Sequence, residues 1–207
     1  MPIPDKRKGS RELSASILDT ARSLFAEHGV DAVSMHQIAK AAGVGQGTLY
    51  RRYAQKGDLC LCLMEEEFHR LRESILVRLE ALAGEPPCVR LAALATLVVE
   101  HLIADSRIVE AMHTAIYNGR NTFKEIEQFY ESPPYRFLYE TIQTLLDEAR
   151  TKGQTIEAVD PAVSAHLLIS LFSPQSLLHL HEKLEVDPEE IVRRIVCTAI
   201  RPLFREE

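Results

Sequence analysis

The motifs that usually carry catalysis are missing from this chain. Its 207 residues hold no glycine-rich phosphate loop, no G-x-S-x-G and no His-x-x-x-His on one helix face. Nucleotide-dependent, serine-hydrolase and zinc-peptidase chemistry therefore lose their commonest signatures. The four cysteines, Cys60, Cys62, Cys88 and Cys197, show no zinc spacing. Cys60 and Cys62, two apart on an expected helix, point roughly 200° from each other and cannot grip one ion. His179 and His181 fail in the same way, so no metal and no cofactor is expected. No apolar run reaches the ~18 residues of a transmembrane helix. The N-terminus, MPIPDKRKGSREL, carries charge but no apolar h-region. Neither a membrane partner nor a secretory signal is expected, and the cytoplasm is the expected compartment. There the thiols stay reduced. A redox role for Cys60 or Cys62 ranks below the role of small core residue. No strand alternation and no internal repeat is visible. What remains is helical periodicity in a chain that is 46% hydrophobic, with nine glycines and ten prolines, the composition of a soluble globular protein.

The charge is unevenly spread. The net charge is −6, yet residues 1–56 hold nine Lys and Arg against five Asp and Glu, or +4, leaving −10 for the rest. A basic head on an acidic body presents one end to a polyanion. Residues 1–9 form a basic flexible arm, in which Lys6, Arg7 and Lys8 either follow a nucleic-acid backbone or remain a solvated tail.

The boundary of the basic region coincides with a motif, SMHQIAKAAGVGQGTLYRRYAQKGDL, from Ser34 to Leu59. Ser34 followed by Gln37 is a capping box. Ile38, Ala39 and Ala42 give the next helix an apolar face. Gly43 and Gly45 bracket Val44 and allow a reversal within three residues. Gln46 to Tyr53 rebuilds a helix with Leu49 and Tyr53 on one side and Gly47, Thr48, Tyr50 and Arg52 on the others. No carboxylate stands between Gln46 and Lys56, whereas a merely solvated helix mixes signs. This is the layout of a helix-turn-helix whose second helix enters the major groove. An earlier helix runs from about Ser10 to His28, with Leu13, Ile17, Ala21, Leu24 and Phe25 as its stripe and Gly29 after its end.

With ILDTARSLFAEHG (17–29), SMHQIAKAAGV (34–44), GTLYRRY (47–53) and KGDL (56–59), the region 17–59 resembles the N-terminal domain of the TetR/AcrR family of bacterial transcriptional regulators. The resemblance implies that Gln46 and Gly47 sit where bases are read, and that Ser34, Thr48, Tyr50, Arg52 and Lys56 sit where phosphates are gripped. It departs at Gln55 and Gly57, which weakens the expected start of a fourth helix. Beyond residue 59 the likeness is one of length and helical character.

That fourth helix runs from about residue 56 to Ala83 and stops at Gly84-Glu85-Pro86-Pro87. The segment from Val89 to Ile103 is apolar nearly all round and is expected to be deeply buried. Helical pieces follow from Ser106 to Tyr117, from Phe123 to Tyr130 and, past Ser132-Pro133-Pro134, to Arg150. Asp160-Pro161 and Asp187-Pro188 each put Asp at an N-cap and Pro at N1. The two helices they start end near Leu184, after a break at Ser173-Pro174, and near Leu203. The fold class is all-α with about nine helices: a helix-turn-helix domain over 10–55, then a larger ligand-binding and dimerisation domain over 56–207. The resemblance implies pairing of the last two long helices with those of a second copy, so Val163, Leu167, Ile191, Ile195 and Ala199 are candidate homodimer contacts. An intrachain core is the alternative. An apolar pocket would draw on His101, Met112, His113, Tyr117, Phe123, Phe129, Tyr130, Phe137, Phe172 and His166, although most such residues are simply core.

These readings make the chain a sequence-specific regulator, not an enzyme. It is expected to be a dimeric repressor that binds a palindromic double-stranded DNA operator and is released by a small-molecule effector. A helical enzyme using a body pocket and a non-sequence-specific architectural DNA protein are the alternatives.

Overall fold

The computed structural model describes residues 6–104 and 130–205. Among them the chain is all-α. There are nine α-helices, π-helical and 3-10 turns extending the last two, and one isolated antiparallel bridge between Thr155 and Phe204. The expected helices over Ser106–Tyr117 and Phe123–Tyr130 lie outside the described residues, apart from Tyr130. The described residues divide into two compact units, with the division falling within the fourth helix, between Glu67 and Phe68.

The first unit contains α1 (Lys6–His28), α2 (Met35–Ala41), α3 (Gln46–Arg52) and the first turns of α4 (Lys56–Ala81). Helix α1 begins at Lys6 rather than Ser10. Lys6, Arg7 and Lys8 are of helix-favouring types, and Gly9 is the strongest opponent there. Residues 1–5 of the expected arm lie outside the described residues. Ile17, Ala21 and Phe25 of α1, Ile38 and Ala39 of α2, and Leu49 are buried with Leu59, Cys60 and Leu63 of α4 in one core. That packing carries the unit past the expected junction at residue 55. Arg22 of α1 makes ion pairs with Asp19 at 2.9 Å, Glu66 at 2.8 Å and Glu67 at 2.9 Å. Glu67 is only 7% exposed. A carboxylate so placed is tolerated because it is paired.

The start of α4 is better fixed than the sequence suggests. Asp58 accepts from the Gln55 backbone N–H at 3.1 Å and from its side-chain amide at 3.4 Å, which is the return half of a capping box. Burial pushes the Cys60 thiol up, and burial with Glu65, Glu66 and Asp58 pushes Cys62 up. Thiolate chemistry needs the opposite shift.

The second unit contains the rest of α4, then α5 (Pro87–Ala104), α6 (Pro133–Thr151), α7 (Pro161–Ser170), α8 (Pro174–Leu178) and α9 (Pro188–Ile195). Each of the last four carries Pro in its first turn, where the missing N–H costs nothing. Asp160 caps α7 through the Val163 N–H at 2.9 Å. Asp187 holds the N-cap position of α9 without a side-chain bond. Helix α6 ends at Gly153, whose φ of +69° needs a residue without Cβ strain.

By length and composition α5 is apolar enough to cross a membrane, with a mean hydropathy of 1.6, so the expectation of no such run was too strong. Leu91, Leu94, Ala95, Val98, Val99 and Ile103 are buried in the core instead, while Val89 and Glu100 on its other side are exposed. Deep burial all round is therefore corrected to burial of one face. A second correction concerns α9. Ile191 is 2% exposed inside the core, and Ile195 and Ala199 pack against the same core. Ile191 is therefore core, whereas Ile195 and Ala199 keep part of their surface. Their i, i+4, i+8 spacing marks an apolar face but does not say what covers it.

Candidate functional site

The helix-turn-helix forms from local chemistry. The Ser34 hydroxyl accepts from the Gln37 N–H at 3.3 Å and donates to Gln37 Oε1 at 2.7 Å, while the Ser34 N–H donates to the same oxygen at 2.8 Å. Gly43 takes φ of +66°, and Val44 N–H closes the turn onto Ala39 O at 3.0 Å. Gly45 is not a second left-handed residue. It is extended and serves as the N-cap of α3.

Helix α3 then sorts its residues cleanly. Leu49 and, just past the helix, Tyr53 are buried. Gln46, Gly47, Tyr50 and Arg51 are exposed, and Tyr50 keeps 49% of its surface free. Positions 47, 50 and 51 share a face by the i, i+3, i+4 rule. A Cβ added to Gly47 would meet nothing within 4 Å. The protein's own packing does not require glycine there, so the open space suits an occupant from outside. Gln46 Nε2 contacts Nδ1 of His36, an exposed residue of α2.

The other candidates have internal duties. Thr48 is half-buried and accepts from Arg51 at 3.2 Å. Arg52 donates to Ser14 Oγ at 2.6 Å. Lys56 directs Nζ at three backbone carbonyls of the α1–α2 loop: Val30 at 2.6 Å, Val33 at 3.1 Å and Asp31 at 3.4 Å. An ammonium has three donors, so Lys56 fastens the loop that leads into α2. His36 and Arg51 were missed in the sequence. Arg51 could have been found by placing it on the face of Gly47 and Tyr50. Nothing in the spacing of His36 announces its contact with Gln46.

In the second unit, α6 and α7 border an open groove of about 1190 Å³, lined in part by Tyr130, Tyr135, Tyr139, Glu140, Val163 and His166. The Tyr135 hydroxyl and His166 Nδ1 are hydrogen-bonded at 2.6 Å, and burial, with Tyr130 and Tyr139 alongside, raises the tyrosine's pKa. Of the described pocket candidates, Tyr130 and His166 line this groove. Phe137 packs edge-on against Phe68 at 6.0 Å, with the Arg72 guanidinium 5.5 Å above its ring. His101 lies on α5, away from the groove lining. Met112, His113, Tyr117, Phe123 and Phe129 lie outside the described residues. Of the dimer candidates, Val163 and Leu167 are 58% and 61% exposed.

Residues 17–61 match the family model for bacterial regulatory proteins of the tetR family. An HTH-type transcriptional regulator of Staphylococcus aureus (strain USA300) is 43% identical over 61 residues, which is 30% of this chain and 33% of that protein. The chain thus matches about a third of the length of this curated relative. The fold is shared more widely. The regulator FadR of Bacillus subtilis, solved in complex with stearoyl-CoA, aligns with a TM-score of 0.69 at 17% identity, over 91% of this chain and 98% of that one. NalD, the secondary repressor of the MexAB-OprM multidrug efflux pump in Pseudomonas aeruginosa, aligns with a TM-score of 0.65 at 22% identity, over 97% and 100%. At such identities these structures speak for the fold alone, while residues 17–61 are similar in sequence to the N-terminal domain of bacterial regulatory proteins of the tetR family.

Proposed function

We propose that this protein is a sequence-specific DNA-binding transcriptional repressor. It acts in the cytoplasm as a homodimer on a palindromic operator and is released by a small molecule. The observation that carries this reading is the uncovered face of α3: Gln46, Gly47, Tyr50 and Arg51, without a carboxylate, next to a turn that holds α2 and α3 rigidly together. Gln offers a donor and an acceptor to a base edge, and Gly lets backbone approach. Tyr50, Arg51 and the Ser34 end of α2 serve the phosphates, which set register and most of the affinity. Thr48, Arg52 and Lys56 support that surface from behind.

A twofold dimer supplies two reading heads for one palindrome. Its seam runs along Val163 and Leu167 of α7, the most exposed aliphatic row of the second unit after Val77. The groove beside it, with the Tyr135–His166 pair, is the effector seat that the described residues offer. Its aromatic walls and the acidic balance of the body favour an apolar or cationic molecule. No catalytic turnover is part of this function.

The test is to select DNA from a randomised library and to titrate the recovered duplex and random DNA across a salt series. The expected result is tight binding to the selected palindrome and weak binding to random DNA. Arg51→Ala should flatten the plot of log affinity against log salt by roughly one unit. Lys56→Ala should instead lower the melting temperature, because buried carbonyls lose their donors at about 1–3 kcal/mol. Equal affinity for random and selected DNA would leave an architectural protein as the better reading.

A further inference from the structure

We propose that His36 is a specificity-determining residue: its ring holds the Gln46 amide in one orientation and so fixes which base Gln46 prefers. The inference rests on α3 being the reading helix. The two residues come from different helices of the motif, and both are exposed. They meet through His36 Nδ1 and Gln46 Nε2. The N-cap of α3 is Gly45, the residue before Gln46, and the contact reaches from α3 across the turn to α2.

A glutamine amide has nearly the same shape in its two flipped orientations, but donor and acceptor exchange places. A free amide therefore offers either edge to DNA. A ring nitrogen facing an amide nitrogen forms a hydrogen bond only when the ring nitrogen is the unprotonated acceptor. The His36 proton then sits on Nε2. One amide hydrogen of Gln46 is committed to His36, and the second hydrogen and Oε1 stay available. This leaves one donor beside one acceptor, which matches adenine N7 and N6–H₂ in the major groove. With His36 absent, the amide turns freely, and the match is one orientation among several. His36 is thus a positioning residue, two residues past the cap of α2 and without any need to touch the base itself.

The experiment uses the full chain on its selected duplex, with each of the four base pairs placed in turn at every position. Gln46→Ala identifies the position that Gln46 reads. His36→Ala should reduce discrimination at that same position by about 5- to 10-fold, with random-DNA affinity, salt slope and melting temperature unchanged. His36→Asn sets an amide oxygen near the place of Nδ1 and should restore most of the preference. In the double variant, His36→Ala should add nothing to Gln46→Ala at that position. If Gln46→Ala flattens one position and His36→Ala leaves it untouched, or weakens all positions alike, this inference is overturned and the reading helix stands. If Gln46→Ala changes no preference anywhere, the reading-helix assignment itself falls.

Discussion

The two units differ in what they leave uncovered. Among the described residues of the first, the exposed large apolar side chains are Tyr50 and Leu61, and Tyr50 carries a hydroxyl. In the second, Leu76, Val77, Val89, Tyr130, Ile156, Val163, Leu167, Leu171 and Leu184 are all exposed. Val163, Leu167 and Leu171 recur every four residues, in one row that continues past the end of α7. The first unit thus presents polar and cationic groups around a glycine, a surface for a hydrated polyanion. The second presents aliphatic side chains, a surface that gains by excluding water. Among the described residues, two helical surfaces thus differ in the chemistry they offer, through side chains alone.

The strongest way to break this contrast is to charge the aliphatic row. Val163→Glu with Leu167→Glu should convert the dimer to monomers in sedimentation equilibrium, since burying an unpaired charge costs on the order of 3–5 kcal/mol. The melting temperature should change little, because both side chains are already exposed. Ile191→Ala should do the reverse. It should lower stability by about 2–5 kcal/mol, read by urea unfolding, without a change in assembly. A dimer that survives the paired glutamates would place the seam elsewhere.

An intermediate effect is expected at Gly47. With no neighbour within 4 Å of an added Cβ, Gly47→Ala should stabilise the free protein by up to about 1 kcal/mol through helix propensity. It should also weaken binding to the selected DNA. Thermal melting and DNA titration of the one variant should therefore move in opposite directions. If both improve, the face of α3 is not pressed against anything.

The contrast between the units also explains what could be read in advance. Capping boxes, glycine turns and the buried pair Leu49 and Tyr53 depend on neighbours within four residues, so sequence specifies them. The first unit is made largely of such local rules, and its exposed face was visible before its fold. The second is not. Ile191, Ile195 and Ala199 share their spacing with Val163, Leu167 and Leu171, yet one row packs in or against the core and the other is bare. Only the three-dimensional partner decides between them. Lys56 illustrates the same limit within the first unit. A lysine near a reading helix suggests a phosphate, but its donors reach carbonyls more than twenty residues upstream. The Gln46–His36 contact likewise joins residues ten apart across a turn.

The smallest expected effect lies at the acidic end of the pH scale. Hydrogen bonds from Arg193 and Arg194 hold the Glu190 carboxyl down at about 2. A carboxyl depressed in the folded state contributes stability that is present above its unfolded value, near 4.3. That contribution is lost as pH falls through the window down to about 2. The group is 34% exposed and salt-screened, so Glu190→Gln should change the melting temperature only slightly at neutral pH. The difference from the wild type should vanish below pH 2 or in high salt, as followed by thermal melts across a pH series. A difference that persists unchanged at pH 2 would mean that Glu190 acts by packing, not by charge.

The early part of α4 is held at two levels. At its first residue, Lys56 grips the α1–α2 loop, and ten residues on, Glu66 and Glu67 grip Arg22 of α1. At 1.5 Å per residue these anchors are about 15 Å apart along the axis. A rod pinned at one point pivots there, but a rod pinned at two has no play against its mount. Any turn or tilt that reaches α4 at Glu67 must therefore reappear, undiminished, in the loop that sets Ser34 and the start of α2.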